Sequence, residues 1–391
     1  MYSNQNRKCE VVVACERGTE GIAAQELRSF GWRPEILKRS KLYIPDVTET
    51  DLARLNMEVH TISRVYLLLA RFRVSGLTEV RQAAESIDYT RFLKPGQRFG
   101  VWGKREGTHD FISQDIGRET GTAITRQFAG CPEDQRPWVH LNDPDVQFVA
   151  ELSDKDLLLM INTSGRPLHH RMPRPFIHSA GLKPALAAAL LRVSSWQSMG
   201  GFLDPFAGGG TIPLAAHLMC TGRAAGSYDD PDRFLLRNLM FLDQEAIART
   251  FREITGKSVR PCGVAIHAAD RFMKSIDGMK ANIDHLGLRG KVTIHHGIAE
   301  KLNYLPDDTV RCVITNPPYG LRIGRPFVID LIYKNFALAC ARKGIHEVTA
   351  LTPRKRSWVS AFENAGYTEE VCMKIVFGRL QVFLLKVARK P

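Results

Sequence analysis

The sequence predicts an α/β protein in which a doubly wound parallel-sheet domain, residues 181–391, follows two smaller α+β units. Two observations carry this prediction. A strand end at residues 201–204 leads into a glycine loop at 205–211 and then an apolar helix, the order that opens a doubly wound sheet. Strand-like and helical runs then alternate as far as residues 310–315, a strand that ends at Asn316-Pro317-Pro318-Tyr319.

The composition favours a polyanionic partner. The 391 residues include 54 Lys and Arg against 41 Asp and Glu, and the net charge of +13 suits nucleic acid or an anionic membrane surface. The 8 cysteines are dispersed without a Cys-x-x-Cys pair, which favours buried thiols in a reducing cytosol over a zinc or redox motif. The N-terminus lacks an apolar signal core, and no apolar run is long enough to span a membrane. We expect a cytoplasmic protein without a metal, and a monomer.

The first unit, residues 1–65, is predicted to be a ferredoxin-like α+β domain. A strand at residues 10–15 precedes an amphipathic helix at 22–30 that ends before Gly31. A second strand at residues 41–45 leads into a further helix. None of its motifs points to chemistry.

The second unit, residues 66–165, is also predicted to be α+β. A strand at residues 98–103 runs into a basic, glycine-containing turn with Lys104 and Arg105. These two cations fit either phosphate contacts without sequence preference or a solvated loop. A longer helix is predicted at residues 114–128 and a hairpin partner strand at 157–162.

Two segments of this unit, residues 98–111 and the turn at 141–145, and the segment at its end, residues 163–171, resemble the THUMP domain. THUMP domains occur in RNA-modifying enzymes and bind RNA. The resemblance implies an RNA substrate, with Lys104 and Arg105 among the RNA-binding residues.

Residues 166–180 are predicted to be a linker between the THUMP unit and the last domain. Three prolines and three arginines within this segment make it stiff, extended and basic. His169 and His170 are adjacent, so their side chains point in different directions and are poor joint metal ligands.

The glycine loop suits neither a dinucleotide nor a nucleoside triphosphate. The run from Asp204 to Thr211 lacks both the Gly-x-Gly-x-x-Gly spacing and the Gly-Lys-Ser/Thr ending. It resembles the first motif of Rossmann-like class I methyltransferases that use S-adenosylmethionine (SAM), and implies SAM as the cofactor. Residues 178–183 resemble a family segment that lines the same pocket. The cofactor contacts implied in these two segments are His178, Leu182, Lys183, Asp204, Gly208, Gly209 and Gly210.

An acidic residue is expected at the end of the next strand, where it would bind the ribose hydroxyls of the cofactor. Two candidates exist, Asp229 and Asp270, and the element order after Asp270 favours Asp270. Residues 222–260 are then an insertion. The loop after the following strand usually carries an acidic residue in this family, whereas here it carries Ile298 and Ala299. Adenine contacts would then come from their backbone and from apolar surface.

The Asn-Pro-Pro-Tyr motif suits a flat molecule that bears an amino group. The Asn316 side-chain oxygen and the Pro317 carbonyl offer two acceptors for the two N–H donors of an amine, and Tyr319 can cover the ring. The continuation, residues 321–325, resembles tRNA guanine-N2 methyltransferases and places Arg322 and Arg325 beside the site as RNA contacts.

The resemblance therefore implies methyl transfer from SAM to the exocyclic N2 amine of a guanosine in tRNA, in the acceptor-stem region. Asn316, Pro317 and Tyr319 are the expected catalytic residues. Three alternatives remain open. These are a large-subunit rRNA guanine-N2 methyltransferase, a DNA amino-methyltransferase, which also uses Asn/Asp-Pro-Pro-Tyr, and a non-catalytic RNA-binding module.

Overall fold

Two β-sheets organise the chain, one in each half. The computed structural model describes residues 8–38, 40–177, 181–320, 326–378 and 380–389. Within them an 8-stranded sheet forms before residue 163 and a 7-stranded sheet after residue 200. This arrangement confirms the predicted α/β class. Among these residues we find no helix with the length and hydropathy required to cross a lipid bilayer.

The first sheet has the strand order β2-β3-β1-β4-β8-β7-β5-β6. Its pairs are antiparallel, except that β5 pairs in parallel with both β6 and β7. The strands are β1 Cys9–Cys15, β2 Glu35–Ile36, β3 Lys41–Val47, β4 Ile62–Arg73, β5 Arg98–Glu106, β6 Trp138–Val139, β7 Val146–Ser153 and β8 Asp156–Asn162.

The helices of the first half are α1 Glu20–Ser29, α2 Glu49–Met57, α3 Leu77–Glu85 and α4 Ser113–Gln127. Helix α2 begins with a capping box, in which Thr48 Oγ1 accepts from Asp51 N at 3.1 Å and Asp51 Oδ2 accepts from Thr48 N at 3.1 Å. Helix α4 lies close against β5, where a Cβ on Gly103 would stand 1.8 Å from Ser113 O. Glycine at residue 103 therefore permits this contact.

Strand β4 belongs to both predicted α+β units. Val65 pairs with Val13 of β1 on one edge, and Leu67 pairs with Ile161 of β8 on the other. The boundary that we drew between residues 65 and 66 lies inside this strand. One continuous sheet therefore serves both the predicted ferredoxin-like unit and the predicted THUMP unit. The division of the first half into these two units remains our proposal.

The second sheet has the order β11-β10-β9-β12-β13-β15-β14. Its first five strands are parallel, and β15 and β14 add an antiparallel hairpin at one edge, as the sequence predicts. The strands of this sheet are β9 Gly201–Asp204, β10 Ala265–Asp270, β11 Thr293–His296, β12 Cys312–Thr315, β13 Glu347–Thr352, β14 Tyr367–Phe377 and β15 Leu380–Arg389. The helices of the second half are α5 Pro184–Val193, α6 Thr211–Thr221, α7 Gln244–Gly256, α8 Met273–His285, α9 Pro326–Arg342 and α10 Lys355–Glu363.

The insertion, residues 222–260, packs on the first half of the chain. Phe234, Leu236 and Phe251 are buried in the same apolar cluster as Leu52 and Leu55 of α2. The backbone N–H of Asp243, which caps α7, donates to Glu49 at the start of α2 across 2.6 Å. The insertion thus joins the two halves through a hydrophobic core.

The expectation that the cysteines are dispersed thiols is wrong for one pair. Cys220 at the end of α6 and Cys262 just before β10 form a disulfide across a sequence separation of 42 residues. We expected dispersed thiols because no short spacing joins these two positions. Their proximity arises from the path of the insertion, which leaves the sheet domain and returns to the same place.

Candidate active site

Three side chains expected at the site lie where neighbouring parallel strands end. Asp204 is the last residue of β9, Asp270 is the last residue of β10, and Asn316 follows β12. Because β9 lies between β10 and β12, these carboxyl ends meet at one edge of the sheet. The direction of the strand order reverses here, and ligands bind at such switch points in open α/β sheets.

The glycine loop turns sharply between β9 and α6. Gly208 and Gly210 have φ of 55° and 79°, a left-handed conformation that glycine adopts at no steric cost. A Cβ on Gly210 would stand 2.9 Å from Met279 Cγ, so this position also requires the absence of a side chain. The loop is held to β10 by hydrogen bonds from Ala207 N to Ala269 O at 2.9 Å and from Gly208 N to Asp270 Oδ2 at 3.0 Å.

Asp204 is a buried carboxyl, only 2% exposed, that faces this loop region. Its Oδ1 accepts from Thr315 Oγ1 at 2.7 Å and from Phe206 N at 3.2 Å. Burial and then the charge of Asp270 raise the pKa of Asp204 to about 7, although these two hydrogen bonds oppose the rise. Among the described residues both bonds go to Oδ1. Oδ2 is therefore free to meet a cationic group, and SAM carries two such groups, a sulfonium and an ammonium.

The two candidates for ribose binding lie in different parts of the structure. Asp270 ends a strand beside the glycine loop, and its two oxygens accept from Gly208 N and from Phe272 N. Each carboxylate oxygen can accept a further bond. Asp229 lies in the insertion, outside both sheets, and forms an ion pair with Arg233 at 2.6 Å. The geometry favours Asp270 for a role at the cofactor.

The linker supplies a contact that the sequence did not reveal. The Asn282 side chain in α8 donates to Gly209 O at 2.8 Å and exchanges two hydrogen bonds of 2.9 Å with the backbone of Phe176. Arg174 donates to Thr211 Oγ1 at 2.5 Å. The Phe176 ring lies over Gly278, where a Cβ would stand 2.3 Å from it. A glycine inside a predicted helix was the available signal for this close approach.

In the Asn-Pro-Pro-Tyr segment the tyrosine turns toward the asparagine. The Tyr319 hydroxyl donates to Asn316 Oδ1 at 2.6 Å. A second tyrosine, Tyr333 of α9, donates to Pro318 O at 2.8 Å and shares a hydrogen bond of 3.0 Å with Thr352. Burial raises the pKa of Tyr333 to about 12, so its hydroxyl stays protonated near neutrality. Tyr333 therefore fixes the proline turn, a role that no motif indicated.

The other residues predicted to bind the cofactor differ in their contacts, which are an ion pair, apolar packing or backbone hydrogen bonds. Lys183 precedes α5 and forms an ion pair with Glu16 of the first half at 2.8 Å. Leu182 and Ala299 are buried in apolar clusters. The Ile298 carbonyl accepts from two backbone N–H groups of the following turn, at 3.0 and 3.2 Å. His178 lies outside the described residues.

The predicted RNA contacts of the first half lie on β5. The Lys104 ammonium stands 5.3 Å from the centre of the Tyr66 ring and 3.7 Å from a Glu151 oxygen. Burial lowers the pKa of Lys104, and Glu151 opposes this effect. Arg105 donates to His109 O at 3.1 Å. Arg322 and Arg325 lie outside the described residues.

Each half of the chain contains a segment that matches a known protein family. Residues 171–382 match the family described as RMKL-like, methyltransferase domain (UPF0020), and residues 75–162 match the THUMP domain. The tRNA (guanine(6)-N2)-methyltransferase of Archaeoglobus fulgidus is 30% identical over 89% of this chain and 84% of that protein. The ribosomal RNA large subunit methyltransferase K/L of Ectopseudomonas mendocina is 26% identical over 83% of this chain but 46% of its own length.

Among solved structures, SMU.472, which was crystallised with SAH, superposes with a TM-score of 0.85 at 20% identity. The match covers 98% of this chain and 99% of that one, and supports the class I methyltransferase fold. The methyl donor is SAM, and a buried carboxyl with a free oxygen beside a glycine turn fits it. The chain thus belongs to the family of RMKL-like methyltransferases and carries a THUMP domain in its first half.

Proposed function

We propose that this enzyme methylates the exocyclic N2 amine of a guanosine in the acceptor-stem region of tRNA, acting as a cytoplasmic monomer. The observation that carries the proposal is the position of Asn316 and Tyr319. They follow β12, immediately beside the strand that ends at Asp204 and leads into the glycine loop. An amine held there faces the expected site of the methyl donor. The relationship to the archaeal tRNA enzyme supports the choice of substrate.

The chain's own residues would orient the amine. Asn316 Oδ1 and the Pro317 carbonyl accept its two N–H groups, which directs the nitrogen lone pair toward the methyl group and stabilises positive charge on the nitrogen. When bound, SAM supplies an electrophilic methyl on a sulfonium. The methylated ammonium is acidic, so no dedicated base is required.

The observed hydrogen bond from Tyr319 fixes the orientation of the acceptor in this scheme. The Tyr319 hydroxyl donates to Asn316 Oδ1 at 2.6 Å and uses one of the two lone pairs of that oxygen, which leaves the other to accept from guanine. The guanine would be flipped out of its helix, with unstacking costing about a few kcal/mol. Tyr319 can then stack on the flipped base. Burial raises the pKa of Tyr319, so the residue acts as a neutral ring and donor near pH 7.

We further propose which residues hold the cofactor. Asp204 and Gly208–Gly210 would receive its methionine portion, and Asp270 its ribose. The backbone of Ile298 and Ala299 would contribute to the adenine site. Lys104 and Arg105, with Arg322 and Arg325, would contact RNA phosphates.

The test is nucleoside mass spectrometry of unmodified tRNA treated with the purified protein and SAM. We expect N2-methylguanosine, mapped by fragmentation to the acceptor-stem region. Asn316→Ala should abolish methylation while RNA binding, measured by filter retention, stays near that of wild type. Loss of RNA binding with intact methyl transfer would contradict the assignment of Asn316.

A second substrate class is favoured by one finding, the similarity to the ribosomal RNA methyltransferase K/L. Competition between tRNA, 23S rRNA and DNA fragments in one reaction separates the candidates. We expect tRNA to take most of the methyl groups. Preferential labelling of rRNA would identify rRNA as the substrate in place of tRNA. Labelling of DNA adenine or cytosine would identify a DNA amino-methyltransferase.

A further inference from the structure

Potential metal ligands meet at the base of the insertion, at the opposite end of α6 from the glycine loop. His217 and Cys220 are three residues apart in the last turns of α6, a spacing that places them on one helix face. Cys262 follows the insertion and precedes β10. One ligand atom from each of the three residues lies within 4.8 Å of the others.

One ring nitrogen of the imidazole in this cluster is unpaired within the part of the chain that the structure describes. His217 is 6% exposed, and its Nδ1 is buried without a hydrogen-bond partner among the described residues. A buried polar atom left unpaired carries a desolvation cost. The cost would be removed if Nδ1 were a ligand. Two thiolates and one imidazole form a donor set that suits Zn²⁺.

The approach of Cys262 to α6 does not depend on the disulfide alone. The backbone N–H of Arg260 donates to Thr221 O at 3.1 Å, and Arg260 Nε donates to Cys220 O at 2.9 Å. Beyond Cys262, β10 is held in the sheet by β9. The two ligand-bearing segments are therefore held together on both sides of Cys262, so the site would persist after reduction.

We propose that His217, Cys220 and Cys262 bind one Zn²⁺ in the reduced protein, and that the disulfide in the structure is the oxidised, metal-free form of the same site. A dithiol reductant would pass two electrons and two protons to the Cys220–Cys262 bond and itself become a disulfide. Zn²⁺ would then displace the two thiol protons. Tetrahedral coordination requires ligand separations of about 3.3–3.8 Å and leaves a fourth position for water.

Both the disulfide form and the zinc-bound form of the site would hold the insertion in place. Each closes the loop between residues 220 and 262 at its base, one through a covalent bond and one through a metal. The insertion between them buries Phe234 and Phe251 in the core of the first half. The site would thus keep the two halves joined whether the thiols are oxidised or reduced.

The experiment measures zinc on the full-length protein after reduction and removal of the reductant. We expect one tightly bound Zn²⁺ per chain in the reduced wild type and none in the oxidised protein. Cys262→Ser should lose it, and His217→Gln should bind it at least about tenfold more weakly, since loss of even an outer-shell partner of a ligand costs about 10–100-fold. Cys372→Ser, at an exposed free cysteine, is the matched control and should retain it.

Substitution with Co²⁺ keeps the test independent of whether the variants fold. The reduced wild type should show thiolate-to-cobalt charge-transfer bands with a tetrahedral d–d spectrum. Absence of stoichiometric zinc in the reduced wild type would overturn the proposal. So would a cobalt spectrum without thiolate bands, or zinc binding by folded Cys262→Ser equal to that of the wild type.

Discussion

The Tyr319 hydroxyl donates a hydrogen bond of 2.6 Å to the side-chain oxygen of Asn316, the atom proposed to receive the substrate amine. The same residue therefore has two roles in our scheme. Its hydroxyl donates to the acceptor, and its ring can stack on the base. These two roles can be separated by mutation, because phenylalanine keeps the ring and loses the donor.

We expect Tyr319→Ala to lower kcat/KM about 5- to 150-fold, since base–aromatic stacking contributes about 1–3 kcal/mol. Tyr319→Phe should stay within a few-fold of wild type, because it keeps the stacking ring and loses only the hydrogen bond to Asn316, whose oxygen can still accept the amine. Steady-state kinetics with tRNA measures both. Equal losses in the two variants would show that the hydroxyl, and not the ring, is required.

The raised pKa of Asp204 predicts a pH dependence of stability. Its pKa is about 7 in the folded protein and about 4 in an unfolded chain, so the folded state holds the proton more tightly between these values. The contribution of Asp204 to the free energy of unfolding should therefore be largest below about pH 4 and be lost as pH rises to about 7.

Urea unfolding at several pH values measures this effect as the difference between wild type and Asp204→Asn. The variant cannot titrate, so its stability relative to wild type should rise between about pH 4 and pH 7. Asp134→Asn changes an exposed carboxyl and is the control, whose difference from wild type should stay flat. A flat difference for Asp204→Asn as well would show that the carboxyl is ionised throughout.

Asp270 and Asp229 should differ in their effect on cofactor binding. Hydrogen bonds to charged groups contribute about 1.5–3 kcal/mol, so Asp270→Ala should weaken SAM binding about 10- to 150-fold. Asp229→Ala should leave SAM affinity within about threefold, because its partner is Arg233. Calorimetric titration measures the SAM affinity of both variants. A larger loss of affinity in Asp229→Ala than in Asp270→Ala would place the ribose site in the insertion.

The packing of the linker can be tested at Gly278. An alanine there would meet the Phe176 ring at 2.3 Å and should destabilise the protein by about 1–3 kcal/mol. It should also weaken SAM binding, because Phe176 and the glycine loop share Asn282. Gly256→Ala is the matched helical control, since a Cβ there meets nothing within 4 Å. Similar denaturation midpoints for the two variants would exclude this role for Phe176.

The sequence alone determined the fold class and the order of the second half. Strand, glycine loop and helix at residues 201–219, and the Asn-Pro-Pro-Tyr turn after β12, are local patterns that a short stretch of chain carries within itself. The alternation of strands and helices then places their carboxyl ends at one sheet edge. Asp204, Asp270 and Asn316 could be named for that reason.

The tertiary structure decided the contacts between distant segments. That the insertion packs on α2, that Asn282 ties Phe176 to the glycine loop, and that Cys262 meets Cys220 follow from chain paths separated by tens to hundreds of residues. Hydrophobic periodicity reports which face of an element is buried but not which partner covers it. Side-chain geometry, such as Tyr319 turning onto Asn316, likewise depends on packing that no motif encodes.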